Sequence, residues 1–172
     1  MIRKAVSGDI DRVEAIYSAI HSGIEEGRIP LYWARNAYPT RQTAVRALEG
    51  GELFVEIEGG TVTAAAIINR KQGKEYGSGN WRYYAQPQEI MVLHTLAVDP
   101  RFSGRGCGTR MMDFYEQYAL DSGCKCLRLN TQAQNTPARS FYGKLGYEEA
   151  GVIGCTFHGI PNVQLVFLEK KI

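Results

Sequence analysis

Residues Leu93 to Gly108, Leu-His-Thr-Leu-Ala-Val-Asp-Pro-Arg-Phe-Ser-Gly-Arg-Gly-Cys-Gly, restrict the fold more than any other stretch of the chain. An apolar run of strand length enters a glycine-rich turn, and an amphipathic helix follows at once. Met111, Met112, Phe114, Tyr115, Tyr118 and Ala119 mark one face of that helix. Gly104, Gly106 and Gly108 lack a Cβ, so the backbone there can turn sharply and approach a bulky ligand. Such a turn offers backbone N–H groups to an anion at a helix N-terminus. Two well-known phosphate patterns do not fit. A P-loop ends in Gly-Lys-Ser/Thr, whereas Gly108 is followed by Thr109-Arg110. A dinucleotide fingerprint needs G-x-G-x-x-G, and Gly104-x-Gly106-x-Gly108 has another spacing.

The elements around this stretch follow from local pattern. Ile2 to Val6 reads as a short strand, and Ser7 and Asp9 offer caps to a helix carrying Ile10, Val13, Ile16, Tyr17 and Ile20. Residues 29 to 39 are aromatic and irregular. A second helix starts after Pro39-Thr40, with Ala44, Val45 and Leu48 inward, and stops at Gly50-Gly51. Leu53 to Glu58 and Thr61 to Asn69 form a hairpin through Gly59-Gly60. Arg70 to Gln88 reads as a long loop or hairpin extension, of a length that is usually a functional lid or disordered. Strands follow at Glu89 to Val98 and Lys125 to Thr131. A short helix is expected to begin at Thr136-Pro137, with Thr136 as its cap and Ala138, Phe141, Tyr142 and Leu145 inward. Two last strands, near Tyr147 to Cys155 and Asn162 to Glu169, join through Phe157 to Pro161. The order β-α-α-β-β-β-α-β-α-β-β predicts an α/β (α+β) fold: one mixed, mostly antiparallel sheet with helices on both faces, in a single domain over residues 1–172.

Composition closes off other classes. A net charge of +2 is too small to imply nucleic acid, and the basic residues form no long run, so no nucleic-acid partner is expected. The longest apolar run, Ala64 to Ile68, is far short of a membrane span, and the N-terminus has no apolar signal segment. A cytoplasmic protein is the expectation. Cys107, Cys124, Cys126 and Cys155 lack zinc-site spacing and read as reduced thiols, so no metal is expected.

Two spaced motifs carry a family resemblance. Leu96-Ala97-Val98-Asp99-Pro100 leading into Ser103-Gly104-Arg105-Gly106-Cys107-Gly108 resembles the central strand and pyrophosphate loop of the GNAT (Gcn5-related N-acetyltransferase) superfamily. Asn135 to Tyr147 resembles that family's Asn-x-x-Ala-x-x-Phe-Tyr-x-x-x-Gly-[Phe/Tyr] segment. The family usually has Gln or Arg where this chain has Ser103, and Arg101 or Arg105 is expected to compensate. The resemblance implies an acyl-CoA N-acyltransferase fold with a splayed central strand and acetyl-CoA as co-substrate. It assigns Leu96, Ala97 and Val98 as backbone contacts to the pantetheine arm and acetyl carbonyl. The loop from Arg101 through Ser103, Gly104, Arg105, Gly106, Cys107 and Gly108 to Thr109, together with Asn135, Ala138 and Tyr142, completes its cofactor set.

Roles in the chemistry follow. A phenol, with an ordinary pKa near 10, can protonate a departing thiolate, and Tyr142 fits that general-acid position. An amine must lose a proton before attack. His94 is the candidate base and Glu89, on the same strand, the second. Trp33, Tyr38, Trp81, Tyr83, Tyr84 and His158 are candidates to line an acceptor pocket. The expected function is direct acetyl transfer from acetyl-CoA to a primary amine, of a small molecule first. The alternatives are a protein N-terminus or lysine as acceptor, or a non-catalytic acyl-CoA-binding regulator. The oligomeric state is left open, with a homodimer allowed.

Overall fold

The computed structural model describes residues 1–172. Its strands are β1 (Ile2–Lys4), β2 (Leu53–Glu58), β3 (Thr61–Asn69), β4 (Ile90–Val98), β5 (Cys126–Gln132), β6 (Glu148–Phe157) and β7 (Ile160–Lys171). Its helices are α1 (Ile10–Glu25), α2 (Arg41–Glu49), α3 (Cys107–Asp121) and α4 (Thr136–Lys144). The strands form a seven-stranded sheet in the order β1-β2-β3-β4-β5-β7-β6. The β4–β5 pair is parallel, and β1–β2, β2–β3, β5–β7 and β6–β7 are antiparallel. No helix is long and apolar enough to cross a membrane.

The chain divides into two compact units: Met1–Ile29, Trp33–Ile68 and His94–Tyr115 in one, and Pro30–Tyr32, Asn69–Leu93 and Glu116–Ile172 in the other. In the first, the apolar stripe of α1 (Ile10, Val13, Ile16, Tyr17, Ile20) packs with Ala44 and Ala47 of α2, with Leu53 and Val55 of β2, and with Ala97 of β4. Val45 and Leu48 pack at the margin of this core. Thr40 caps α2 by accepting from the Thr43 N–H at 3.4 Å. Ser7–Asp9 form a short 3-10 turn rather than a side-chain cap for α1. The Asp9 carboxylate instead accepts from the Val6 N–H at 2.8 Å and pairs with Arg3 at 2.7 Å.

The second unit corrects the reading of residues 70 to 88. Two 3-10 turns, Lys74–Ser78 and Pro87–Glu89, interrupt that stretch, and its aromatic residues build a core of their own. Tyr76 stacks on Trp81 with ring centres 5.8 Å apart, and both rings lie against Phe167 of β7. Arg128 of β5 lies with its guanidinium 4.0 Å from the Trp81 ring centre, a cation–π contact. The buried Glu169 accepts from the Arg82 N–H at 2.6 Å. The segment is thus anchored by packing and hydrogen bonds rather than open.

The β6–β7 connection is also tighter than expected. It is a two-residue turn at His158-Gly159, both at positive φ, which suits the twist of the flanking strands. At the start of α4 the cap is Asn135, not Thr136. Its Oδ1 accepts from the Ala138 N–H at 3.3 Å, and Pro137 then falls in the first turn, where its missing N–H costs nothing.

Candidate active site

In the first unit, β4 delivers the chain into the glycine loop through Asp99. This carboxylate is only 1 % exposed and lies between two guanidinium groups, those of Arg12 on α1 and Arg101. It also accepts from the Arg101 N–H at 2.9 Å, capping the 3-10 turn Pro100–Phe102. Burial works to raise the Asp99 pKa, but the Arg101 and Arg12 hydrogen bonds outweigh it and hold the pKa down at about 2.

The loop itself is exposed from Ser103 to Gly106. Gly104 and Gly106 take φ of 75° and 78°, a region that costs an L-residue about 1–2 kcal/mol. A Cβ at Gly106 would also lie 3.2 Å from the Arg110 guanidinium. Helix α3 begins at Cys107, one residue earlier than the last glycine of the motif. Arg110 makes the first helical bond, to the Gly106 carbonyl at 3.0 Å. The N–H groups of Cys107, Gly108 and Thr109 therefore have no carbonyl within the helix to bond, and they point with the positive end of the helix dipole.

The cations around the loop divide into committed and available ones. Arg101 is committed to Asp99, and Arg110 to the buried Glu56 of β2, which also accepts from the Thr63 hydroxyl at 3.1 Å. Arg105 lies over the Phe102 ring at 5.2 Å rather than on a carboxylate. Of the two residues expected to compensate for Ser103, Arg101 is held by Asp99 and Arg105 is not. Cys107 is buried, its thiol pushed up by desolvation, so it can contribute only its backbone to an anion site.

Strand β4 changes character partway along. Its parallel ladder with β5 covers Ile90 to Leu93 against Cys126 to Leu129. Two residues on, Thr95 has φ of 49°. A β-branched residue in the left-handed region costs about 1–3 kcal/mol and persists only where surrounding groups hold it. Thr95 is 9 % exposed, and its hydroxyl shares a hydrogen bond with that of Tyr38. His94, the candidate base, is half-buried on the residue before. Leu96 and Val98 are half-buried and Ala97 is buried.

In the second unit, Tyr142 of α4 is 7 % exposed, its ring beside Phe141 and Tyr147 at 5.3 and 6.0 Å. Burial alone pushes its phenol well above the usual range, so the hydroxyl keeps its proton. Asn135 is partly spent: beyond the cap, its Nδ2 donates to the Thr131 hydroxyl at 3.3 Å. The cap also takes the Ala138 N–H. Glu89 pairs with Lys125 and accepts from the Gln86 N–H at 3.0 Å, and these contacts lower its carboxyl pKa. A carboxylate so held is a weak proton acceptor near neutrality, which favours His94 over Glu89.

The aromatic candidates separate by environment. Trp33 meets Tyr38 edge-on at 5.9 Å and packs on the first core, and Tyr38 is buried. Trp81 and Tyr83 belong to the second core, and the Tyr83 hydroxyl donates to Glu148 at 2.8 Å. Among the candidate tyrosines and tryptophans only Tyr84 stands open, at 91 % exposure, and His158 is exposed as well. The turn residue His158 packs edge-on to Phe157 at 4.4 Å. Sequence reasoning missed Arg12, Thr95 and Glu56 altogether. The one signal available was Glu56 itself, a lone charge within the apolar run Leu53 to Ile57.

A glycine loop opening a helix beside a strand that leaves its ladder defines an acyl-CoA N-acyltransferase fold, and comparison with solved structures agrees. An acetyltransferase of Streptococcus agalactiae superposes with a TM-score of 0.78 at 21% identity, over 100% of this chain and 95% of that one. The acetyltransferase (GNAT) family model matches residues 13–147, and the chain belongs to that family. An uncharacterized N-acetyltransferase of Bacillus subtilis is 40% identical over 125 residues, 70% of this chain and 80% of the relative. One of Methanocaldococcus jannaschii is 27% identical over 153 residues, 88% of this chain but 62% of the relative's length. A streptothricin acetyltransferase of Escherichia coli is 30% identical over 99 residues, 58% of this chain and 53% of that protein.

The Asp99 clamp sets a pH dependence. With the folded pKa near 2 and the unfolded one near 4, its stabilisation is complete above about pH 4 and disappears as pH falls toward 2. Asp99→Asn should therefore lower the unfolding free energy by about 2 kcal/mol at neutral pH and by almost nothing near pH 2. Urea unfolding across that range checks it.

Proposed function

We propose that this chain transfers the acetyl group of acetyl-CoA directly to the primary amine of a small molecule. The observation that carries the donor half is the pair of left-handed glycines presenting the first N–H groups of α3, with Arg105 beside them. Charge-assisted hydrogen bonds of about 1.5–3 kcal/mol each suit that surface to a pyrophosphate. Thr95 turns β4 so that Leu96 to Val98 present backbone N–H groups to the acetyl carbonyl, whose oxygen gains negative charge as the amine attacks. His94 takes the proton that the amine must lose, directly or through a water. The amine nitrogen bonds the carbonyl carbon, the carbon–sulfur bond breaks, and Tyr142 gives its proton to the departing thiolate.

A small acceptor is favoured by the similarity to a streptothricin acetyltransferase. Thiol release from acetyl-CoA should appear with one or more small amines, amino acids, polyamines or aminoglycosides in a screening panel. Release with peptides alone would replace the acceptor class, and silence throughout with retained coenzyme A binding would favour the regulator reading. Tyr142→Phe should lower kcat by about 10²-fold with little change in coenzyme A affinity, and unchanged turnover would remove its assigned role.

A further inference from the structure

We infer that Tyr38 is a positioning residue for the acyl-transfer step: its hydroxyl holds Thr95 in the left-handed conformation that aims the following backbone N–H groups at the acetyl carbonyl. This rests on the acetyl-CoA reading above. The observation behind it is a conformational one. A threonine at φ 49° inside a strand does not stay there by its own preference. The contact that accounts for it is the hydrogen bond between the Thr95 and Tyr38 hydroxyls, both on buried side chains.

Tyr38 is itself well fixed. Its N–H donates to the Ala34 carbonyl at 2.8 Å, and its own carbonyl accepts from the Ala34 N–H at 3.1 Å, closing a small loop. Its ring meets Trp33 edge-on, and desolvation pushes its phenol up to about 12, so the hydroxyl stays protonated at any working pH. A rigid, permanently protonated partner thus holds the one strained residue of the strand. The dihedrals of Thr95 set the plane of the Thr95–Leu96 peptide and hence the direction of the Leu96 N–H. An aim that differs by tens of degrees leaves the carbonyl unpolarised even with the cofactor bound. Tyr38 therefore acts through backbone geometry rather than on a reacting atom.

The test uses acetyl-CoA labelled at the acetyl carbonyl and needs no acceptor. The carbonyl stretching band of the bound thioester should shift to lower frequency on the parent protein. Tyr38→Phe and Thr95→Val should each abolish most of that shift, while acetyl-CoA affinity by calorimetry stays within about twofold, because the pyrophosphate contacts are untouched. The double variant should lose no more than either single one, as expected of two groups forming one interaction. Thr95→Ser, which keeps the hydroxyl, should retain the shift. Should Tyr38→Phe fail to fold, the Thr95→Val and Thr95→Ser pair carries the comparison. A full shift in Tyr38→Phe or Thr95→Val with acetyl-CoA bound overturns the positioning role, as does a parent protein that binds acetyl-CoA without any shift. A parent protein that binds no acetyl-CoA overturns the functional reading beneath it.

Discussion

The buried carboxylate of Asp99, held between Arg12 and Arg101, is the interaction on which the junction of β4 and the glycine loop depends. It sits where β4 stops being a strand and the loop begins, and it fixes that junction to α1 through Arg12. A buried charge without partners is costly, so Arg12 and Arg101 stabilise the junction by pairing with it. Once it is fixed, Pro100–Phe102 forms a single capped turn, and Gly104 and Gly106 can take their left-handed conformations at a defined place relative to α3.

Strain and stability are arranged in sequence along β4. Its first four residues sit in a regular ladder with β5, and Asp99 anchors its end by charge. Between these two anchors lies Thr95, the residue with an unfavourable backbone conformation. Confining the irregularity between fixed ends is what allows a short stretch of backbone to hold a set direction. Electrostatic catalysis of acyl transfer requires that property, because donors that must reorganise during the reaction give up most of their advantage.

Local pattern made much of this legible. The helical period of α1, the glycine pair before β3 and the Asn135 to Tyr147 segment all act over a few residues, and each formed close to where its residues place it. What pattern did not reveal depends on contacts distant in sequence. Arg12 and Asp99 lie 87 residues apart, and nothing distinguishes Arg12 from another polar residue on the open face of α1. Thr95 looks like any strand threonine until its partner Tyr38 is in place. Trp81 and Tyr83, expected near an acceptor, are half-buried and pack against the core around Phe167. Composition alone does not tell a buried loop aromatic from an exposed one.

We propose that the α3 N-terminus with Gly104, Gly106 and Arg105 binds the pyrophosphate of the donor, while β4 faces the acetyl end. Acetyl-CoA is compared with S-acetylpantetheine, which keeps the acyl arm and lacks the whole 3′-phospho-ADP part, with 3′-phosphoadenosine alone as the control for the nucleoside end. Loss of several charge-assisted hydrogen bonds predicts a fall in affinity of at least about 10²-fold for the truncated donor. Equal binding of the two donors would contradict the account.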